Sequence, residues 1–139
     1  MIVYLDASCL VKLYVEEDGS ADVRLWCDHS AAVATTRLAF VESVSALTRR
    51  HREGDLTEID AGAAVSRLEA DWPAFVRVDV DEALAGDVAR RHDLRALDAV
   101  HLAAALTLSV AMPDVEVVFV TRDRRQALAA AAEGLRLAR

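Results

Sequence analysis

VEVVFVTRDRRQALAAAAEG, residues 115–134, contains both kinds of element on which the fold turns. Residues 115–120 are mostly Val and Phe, which reads as the clearest strand in the sequence. The remainder opens on an acid, Asp123, and continues as an Ala-rich run stopped by Gly134, which reads as a helix with its terminator. A strand running directly into a helix is half of the repeat from which parallel sheets are built.

The same alternation extends in both directions. IVYL at 2–5 is a second apolar strand, and DASCLVKLYV follows it with helical spacing at Leu10, Leu13 and Tyr14. Asp18, Gly19 and Ser20 mark a turn before a short helix through Trp26. AAVAT at 31–35 is a weaker strand. Thr35 or Thr36 then caps a helix to about residue 52, with Phe40, Val41, Val44 and Leu47 on one face and Gly54 at its end. A helix over 58–71 is stopped by Pro73, AFVRV at 74–78 is a third strand, and 81–92 is helical. LRALDAVHLAAAL at 94–106 is an apolar helix, set off from the strand at 115 by Pro113. LRLA at 135–138 offers a last edge strand. The expectation is an α/β sandwich around a mostly parallel sheet, with residues 1–139 as one domain.

Composition narrows the class. Hydrophobic residues make up 54% of the 139, enough for a packed core and against disorder. The mean hydropathy of +0.20 comes without any apolar run of the roughly 18 residues a bilayer requires. The N-terminus lacks the basic start of a secretory signal, so a cytoplasmic protein without a membrane association is expected. Cys9 and Cys27 have no metal-binding spacing and read as reduced, inert thiols. With 23 acidic and 16 basic residues the net charge is −7, which speaks against a basic nucleic-acid coat protein. A nuclease stays open, because a divalent ion reverses the local field of an acidic site. All basic residues but Lys12 are Arg, so an Arg is not functional merely by being present.

In open α/β sheets the functional site lies beyond the carboxyl ends of the strands. Asp6 follows the first strand directly, Asp123 follows the strand ending at Val120, and Asp98 sits near the start of its helix. Glu42 lies on the flank of the third helix, near Leu38 and Ala46. Each has a structural explanation. Asp6 can cap a helix, Asp123 can form a capping box with Gln126, Asp98 can complement a helix dipole, and Glu42 can pair with Arg37 or Arg49. Taken together, four converging carboxylates repel one another unless protons or a cation join them. Oxygen-only ligands suit Mg2+ or Mn2+, and the chemistry implied is metal-assisted phosphodiester hydrolysis. His101, three residues after Asp98, either holds a carboxylate or water there or is a hydrogen-bonded core residue.

VYLDASCLVKLY, the Glu at 42, LRALDAVHLAAAL and VFVTRDRRQALAAAAEGL occur in an order and at a spacing that resembles PIN-domain ribonucleases, specifically the small toxins of the VapC type. The likeness spans essentially the whole chain. It implies a PIN-like three-layer α/β/α sandwich with a mostly parallel five-stranded sheet. It identifies Asp6, Glu42, Asp98 and Asp123 with the catalytic, metal-binding acids, and Ser8 and Thr121 with their supporting hydroxyls. It further implies Mg2+ or Mn2+ as cofactor, endonucleolytic cleavage of RNA, a homodimer, and a small cognate antitoxin as partner. Arg95, Arg122, Arg124 and Arg125 adjoin these positions and are candidates for binding RNA phosphates; otherwise Arg122, Arg124 and Arg125 are an ordinary solvated helix start and Arg95 only screens Asp98.

Other classes fit less well. A haloacid-dehalogenase-like phosphatase needs a second Asp where Ser8 stands, and a receiver domain needs a late Lys where the chain has only Lys12. Two alternatives remain: a PIN-like module that binds RNA or a partner without cutting, and a housekeeping RNA-processing nuclease.

Overall fold

The computed structural model describes residues 1–138. Five strands, β1 (Ile2–Leu5), β2 (Ala32–Thr36), β3 (Val76–Val78), β4 (Val117–Val120) and β5 (Arg136–Leu137), form one sheet in the order β3-β2-β1-β4-β5. Every neighbouring pair is parallel. The helices among the described residues are α1 (Ala7–Val11), α2 (Ser20–Asp28), α3 (Leu38–Arg52), α4 (Glu58–Asp71), α5 (Glu82–His92), α6 (Ala96–Ala111) and α7 (Arg124–Ala132).

Alternation along the strands divides the core in two. Ile2, Tyr4, Val117 and Phe119 face α5, α6 and α7, where Val88, Leu102, Leu108 and Ala130 close the layer. Val3, Leu5, Val118 and Val120 face the other way, against Leu10 of α1, Leu47 of α3 and Leu68 of α4. Both faces of the sheet are therefore covered, which is why the central strands are apolar at every position. The expected three-layer sandwich is observed. α6 is apolar nearly all round because it packs on the sheet with one side and on α5 with another.

Several boundaries differ from the expected ones. Thr35 and Thr36 do not cap α3. They continue β2, paired with Arg77 and Val78, and the Thr35 hydroxyl donates to the Leu5 carbonyl at 2.8 Å. Parallel pairing with β3 holds them in the strand, and Arg37 occupies the cap position without a side-chain bond. β4 starts two residues late because the Val115 N–H turns back to the Met112 carbonyl. β3 is shorter than expected because Pro73 seats Trp72–Ala74 in a 3-10 turn that takes up the preceding chain. α3 and α7 end where expected: Gly54 and Gly134 follow them with φ of 81° and 85°, a conformation open to glycine and strained for other residues. Among the described residues no single helix is long and apolar enough to cross a membrane.

Candidate active site

The strand order places the site. From β1 the chain moves outward through β2 to β3, then returns to β4 on the other side of β1. The connections therefore diverge at the carboxyl ends of β1 and β4, and such a switch point opens a crevice. Asp6 is the first residue after β1, and Thr121 and Asp123 follow β4. Glu42 comes from α3, which follows β2, and Asp98 from the first turn of α6. All four acids line one cavity of about 930 Å³.

Asp6 is 5% exposed and holds three hydrogen bonds. Its Oδ1 accepts from the Cys9 N–H at 2.7 Å, which caps α1, and from the Ser8 hydroxyl at 2.8 Å. Its Oδ2 accepts from the Thr121 hydroxyl at 2.6 Å. Asp123 caps α7 through the Gln126 N–H at 2.8 Å. Capping and cavity-facing roles are thus compatible, since each cap uses one oxygen and a carboxylate has about four acceptor positions.

The capping box expected at Asp123 and Gln126 is only half formed. The Gln126 side chain is fully buried and does not reach back to the cap. Its amide donates to the Asp98 carbonyl at 3.1 Å, and its oxygen shares the Thr121 proton at 2.7 Å. Gln126 thereby links the β4 end to the start of α6, a role not recognised from the sequence. The available signal was its place on the same helical stripe as Ala129 and Ala130, where a free polar side chain would be costly.

Glu42 pairs with neither Arg37 nor Arg49. Its Oε1 lies 2.9 Å from His101 Nε2, while Arg37 bonds Asp79. His101 is 2% exposed, and its Nδ1 lies 3.1 Å from the Tyr4 hydroxyl. Both explanations of His101 hold together: it is a core residue, and it holds a carboxylate. Burial pushes the Tyr4 phenol well above its ordinary range, and burial beside Asp6 does the same to the Cys9 thiol, leaving both protonated.

Of the four candidate arginines, Arg95 alone bonds a site acid. Its Nε donates to Asp98 Oδ2 at 2.8 Å, and a terminal nitrogen lies 3.7 Å from Asp123 Oδ2. The bond to Asp98 is the main reason its pKa is raised. Arg122 lines the cavity but pairs with Asp18, and Arg125 pairs with Asp93. Arg124 is exposed at the start of α7. Arg49 and Arg50 also line the cavity, Arg49 expected only as a partner for Glu42 and Arg50 not expected there.

The acids offer oxygen only and leave acceptor positions open towards one cavity, which fits a hard divalent cation in donor chemistry. Their spacing is looser than a finished cage. Among the described residues no three His, Cys, Asp or Glu side chains are close enough to hold an ion as they stand. The Arg95 guanidinium supplies the positive charge between Asp98 and Asp123.

The PIN domain family model matches residues 3–132. Ribonuclease VapC45 and ribonuclease VapC49, both of Mycobacterium tuberculosis, are each 40% identical to this chain over 140 residues, covering 99% of it and 94% of the relative. PAE2754 of Pyrobaculum aerophilum superposes with a TM-score of 0.68 at 22% identity, covering 99% of this chain and 90% of its own. FitAcB of Neisseria gonorrhoeae does so with a TM-score of 0.68 at 18% identity, covering 100% and 97%. At those identities the two structures speak for the fold alone. The family model and the identity along the whole chain carry the assignment: this chain belongs to the PIN domain family, among proteins of the VapC type.

Proposed function

We propose that this chain is a divalent-metal-dependent endoribonuclease, acting in the cytoplasm as the homodimeric toxin of a pair neutralised by a small antitoxin. The observation that carries the chemistry is the meeting of four carboxylates from four elements on one cavity at the sheet's switch point. The relatives' name, ribonuclease, supports RNA as the substrate.

Asp6, Glu42 and Asp98 would hold Mg2+ or Mn2+, with Asp123 ligating directly or through water. The chemistry a bound ion supplies is activation of water and neutralisation of charge at phosphorus. The protein's own share is placement. Thr121, Ser8 and the Cys9 N–H fix both oxygens of Asp6. His101 orients Glu42, and Gln126 ties the backbone of Asp98 to the end of β4. Arg49 and Arg122 line the same cavity and can take flanking phosphates as point contacts. Arg95 shows that a guanidinium fits between Asp98 and Asp123, so an antitoxin that offers an Arg there would compete with the metal.

The test is cleavage of RNA by the purified chain with Mn2+, with EDTA, and as the Asp98→Asn variant. Cleavage that needs the metal and is lost in the variant is expected. Equal degradation by wild type and variant overturns the assignment. The looseness of the acid cluster favours a second reading, a module that binds RNA without cutting. That module would bind RNA without requiring Mn2+ and leave it intact.

A further inference from the structure

We propose that Tyr4 and His101 form a buried relay that fixes the Glu42 carboxylate in the cavity, making His101 a positioning residue for the metal-binding site. The inference rests on the metal-dependent reading above. Tyr4 comes from β1, His101 from α6 and Glu42 from α3, with 97 and 59 residues between the successive partners. α3 belongs to the helical layer on one face of the sheet, and Tyr4 and α6 to the core on the other. The relay therefore couples the two layers at the edge where the acids meet.

The Glu42 carboxylate only accepts, so the 2.9 Å contact places a ring proton on Nε2, while the Tyr4 hydroxyl, which can donate or accept, meets Nδ1. Both ring nitrogens are satisfied, as a fully buried imidazole requires. The phenol is itself held: its ring stacks on Phe119 at 5.5 Å and meets the His101 ring edge-on at 6.0 Å. Glu42 stands on an otherwise apolar helix flank and is 16% exposed. A glutamate side chain left free would sample several rotamers. Holding Oε1 from behind leaves Oε2 to the cavity. The acceptor that satisfies Nε2 is an acid lining the cavity, so the bond that completes the core also restrains the Glu42 carboxylate.

Mn2+ titration of the full-length chain, followed by electron paramagnetic resonance of the free ion, tests the relay. His101→Leu keeps an apolar body and removes the donor, and its affinity for Mn2+ is expected to fall about tenfold or more. His101→Gln keeps an N–H at similar reach and is expected to stay within about threefold of wild type, with Tyr4→Phe between the two. In the metal-free protein, nitrogen-15 shifts of His101 should show a proton on Nε2. If His101→Leu fails to fold, Tyr4→Phe and His101→Gln still decide: wild-type affinity together with an Nδ1-protonated ring in Tyr4→Phe supports a tautomer set by Tyr4 but overturns the positioning role. His101→Leu with wild-type affinity, or His101→Gln falling as far as His101→Leu, overturns it too. Wild-type chain that binds no Mn2+ and cuts no RNA overturns the metal-dependent reading itself.

Discussion

Two hydroxyls bond Asp6, and removing them should have unequal effects. Ser8 is exposed, and its partner oxygen keeps the Cys9 N–H, so Ser8→Ala is expected to destabilise by no more than about 1 kcal/mol. Thr121 is different. Its oxygen accepts from the Asp123 N–H at 3.0 Å while its one proton is shared between Asp6 and Gln126. Thr121→Val keeps the β-branched shape and removes all three. A charge-assisted bond to a buried carboxylate is worth about 1.5–3 kcal/mol, and the buried Gln126 oxygen left without a donor costs about 1–3 kcal/mol. Since the two share one proton they do not add fully, and about 3 kcal/mol is expected for the variant. At roughly 4 °C per kcal/mol for a chain of this length, the midpoints should drop by about 12 °C for Thr121→Val and at most about 4 °C for Ser8→Ala. Thermal melts by circular dichroism, with urea titrations to confirm an unchanged m-value, make the measurement. A drop for Thr121→Val as small as that for Ser8→Ala would mean that Thr121 does not tie Asp6 and Gln126 together in solution.

Leu102 is fully buried between α6 and the sheet, so Leu102→Ala should destabilise by about 2–5 kcal/mol; urea unfolding showing under 1 kcal/mol would contradict the layer assignment. Burial, with Asp28 adding, pushes the Cys27 thiol up to about 11. At pH 8 about one thiol in a thousand is then ionised, against roughly a quarter for an ordinary cysteine, so iodoacetamide should react about two hundredfold more slowly than with a free thiol. Because the shift is upward, the rate should climb about tenfold per pH unit until near that value; alkylation at the free-thiol rate at pH 8 counts against it. Arg95→Ala should leave the melting midpoint nearly unchanged, its side chain being 76% exposed, yet tighten Mn2+ binding by freeing Asp98 and Asp123. Weaker Mn2+ binding in a calorimetric titration would show that Arg95 supports the site instead of competing for it.

What the sequence reveals depends on how local the determinant is. β1 and β4 were legible because a strand covered on both faces must be apolar throughout, as Ile2–Leu5 and Val117–Val120 are. The ends of α3 and α7 were legible because left-handed backbone leaves few choices besides Gly54 and Gly134. Thr35 and Thr36 were misread because a threonine before an apolar run satisfies cap and strand patterns equally; only pairing with Arg77 and Val78 decides between them. Asp6 and Asp123, each just after a strand, and Asp98, near the start of its helix, are expected at the carboxyl edge of the sheet, and all three line the cavity there. The partners of those acids were not legible. Glu42 meets His101 across 59 residues, Asp6 meets Thr121 across 115, and Arg125 turns away to Asp93. Such pairs follow from packing of distant elements, for which periodicity carries no signal.

The same pairs explain how the fold tolerates four acids lining one cavity. Asp6 is held by three donors from the chain around it, and Glu42 by an imidazole locked into the core. The Cys9 N–H and the His101 ring are buried and fixed by the packing around them. Asp98 and Asp123 instead share Arg95, a surface side chain on the residue just before α6. Its hold is that of an exposed ion pair, weak and screened by salt. Asp6 and Glu42 are thus preorganised, while the charge shared by Asp98 Oδ2 and Asp123 Oδ2 is met by one exposed cation, the other Asp123 oxygen being held by its helix cap. A divalent ion or an incoming arginine would need to displace only that group, so competition at the site should run through Arg95, and raising ionic strength should weaken its grip without disturbing Asp6 or Glu42.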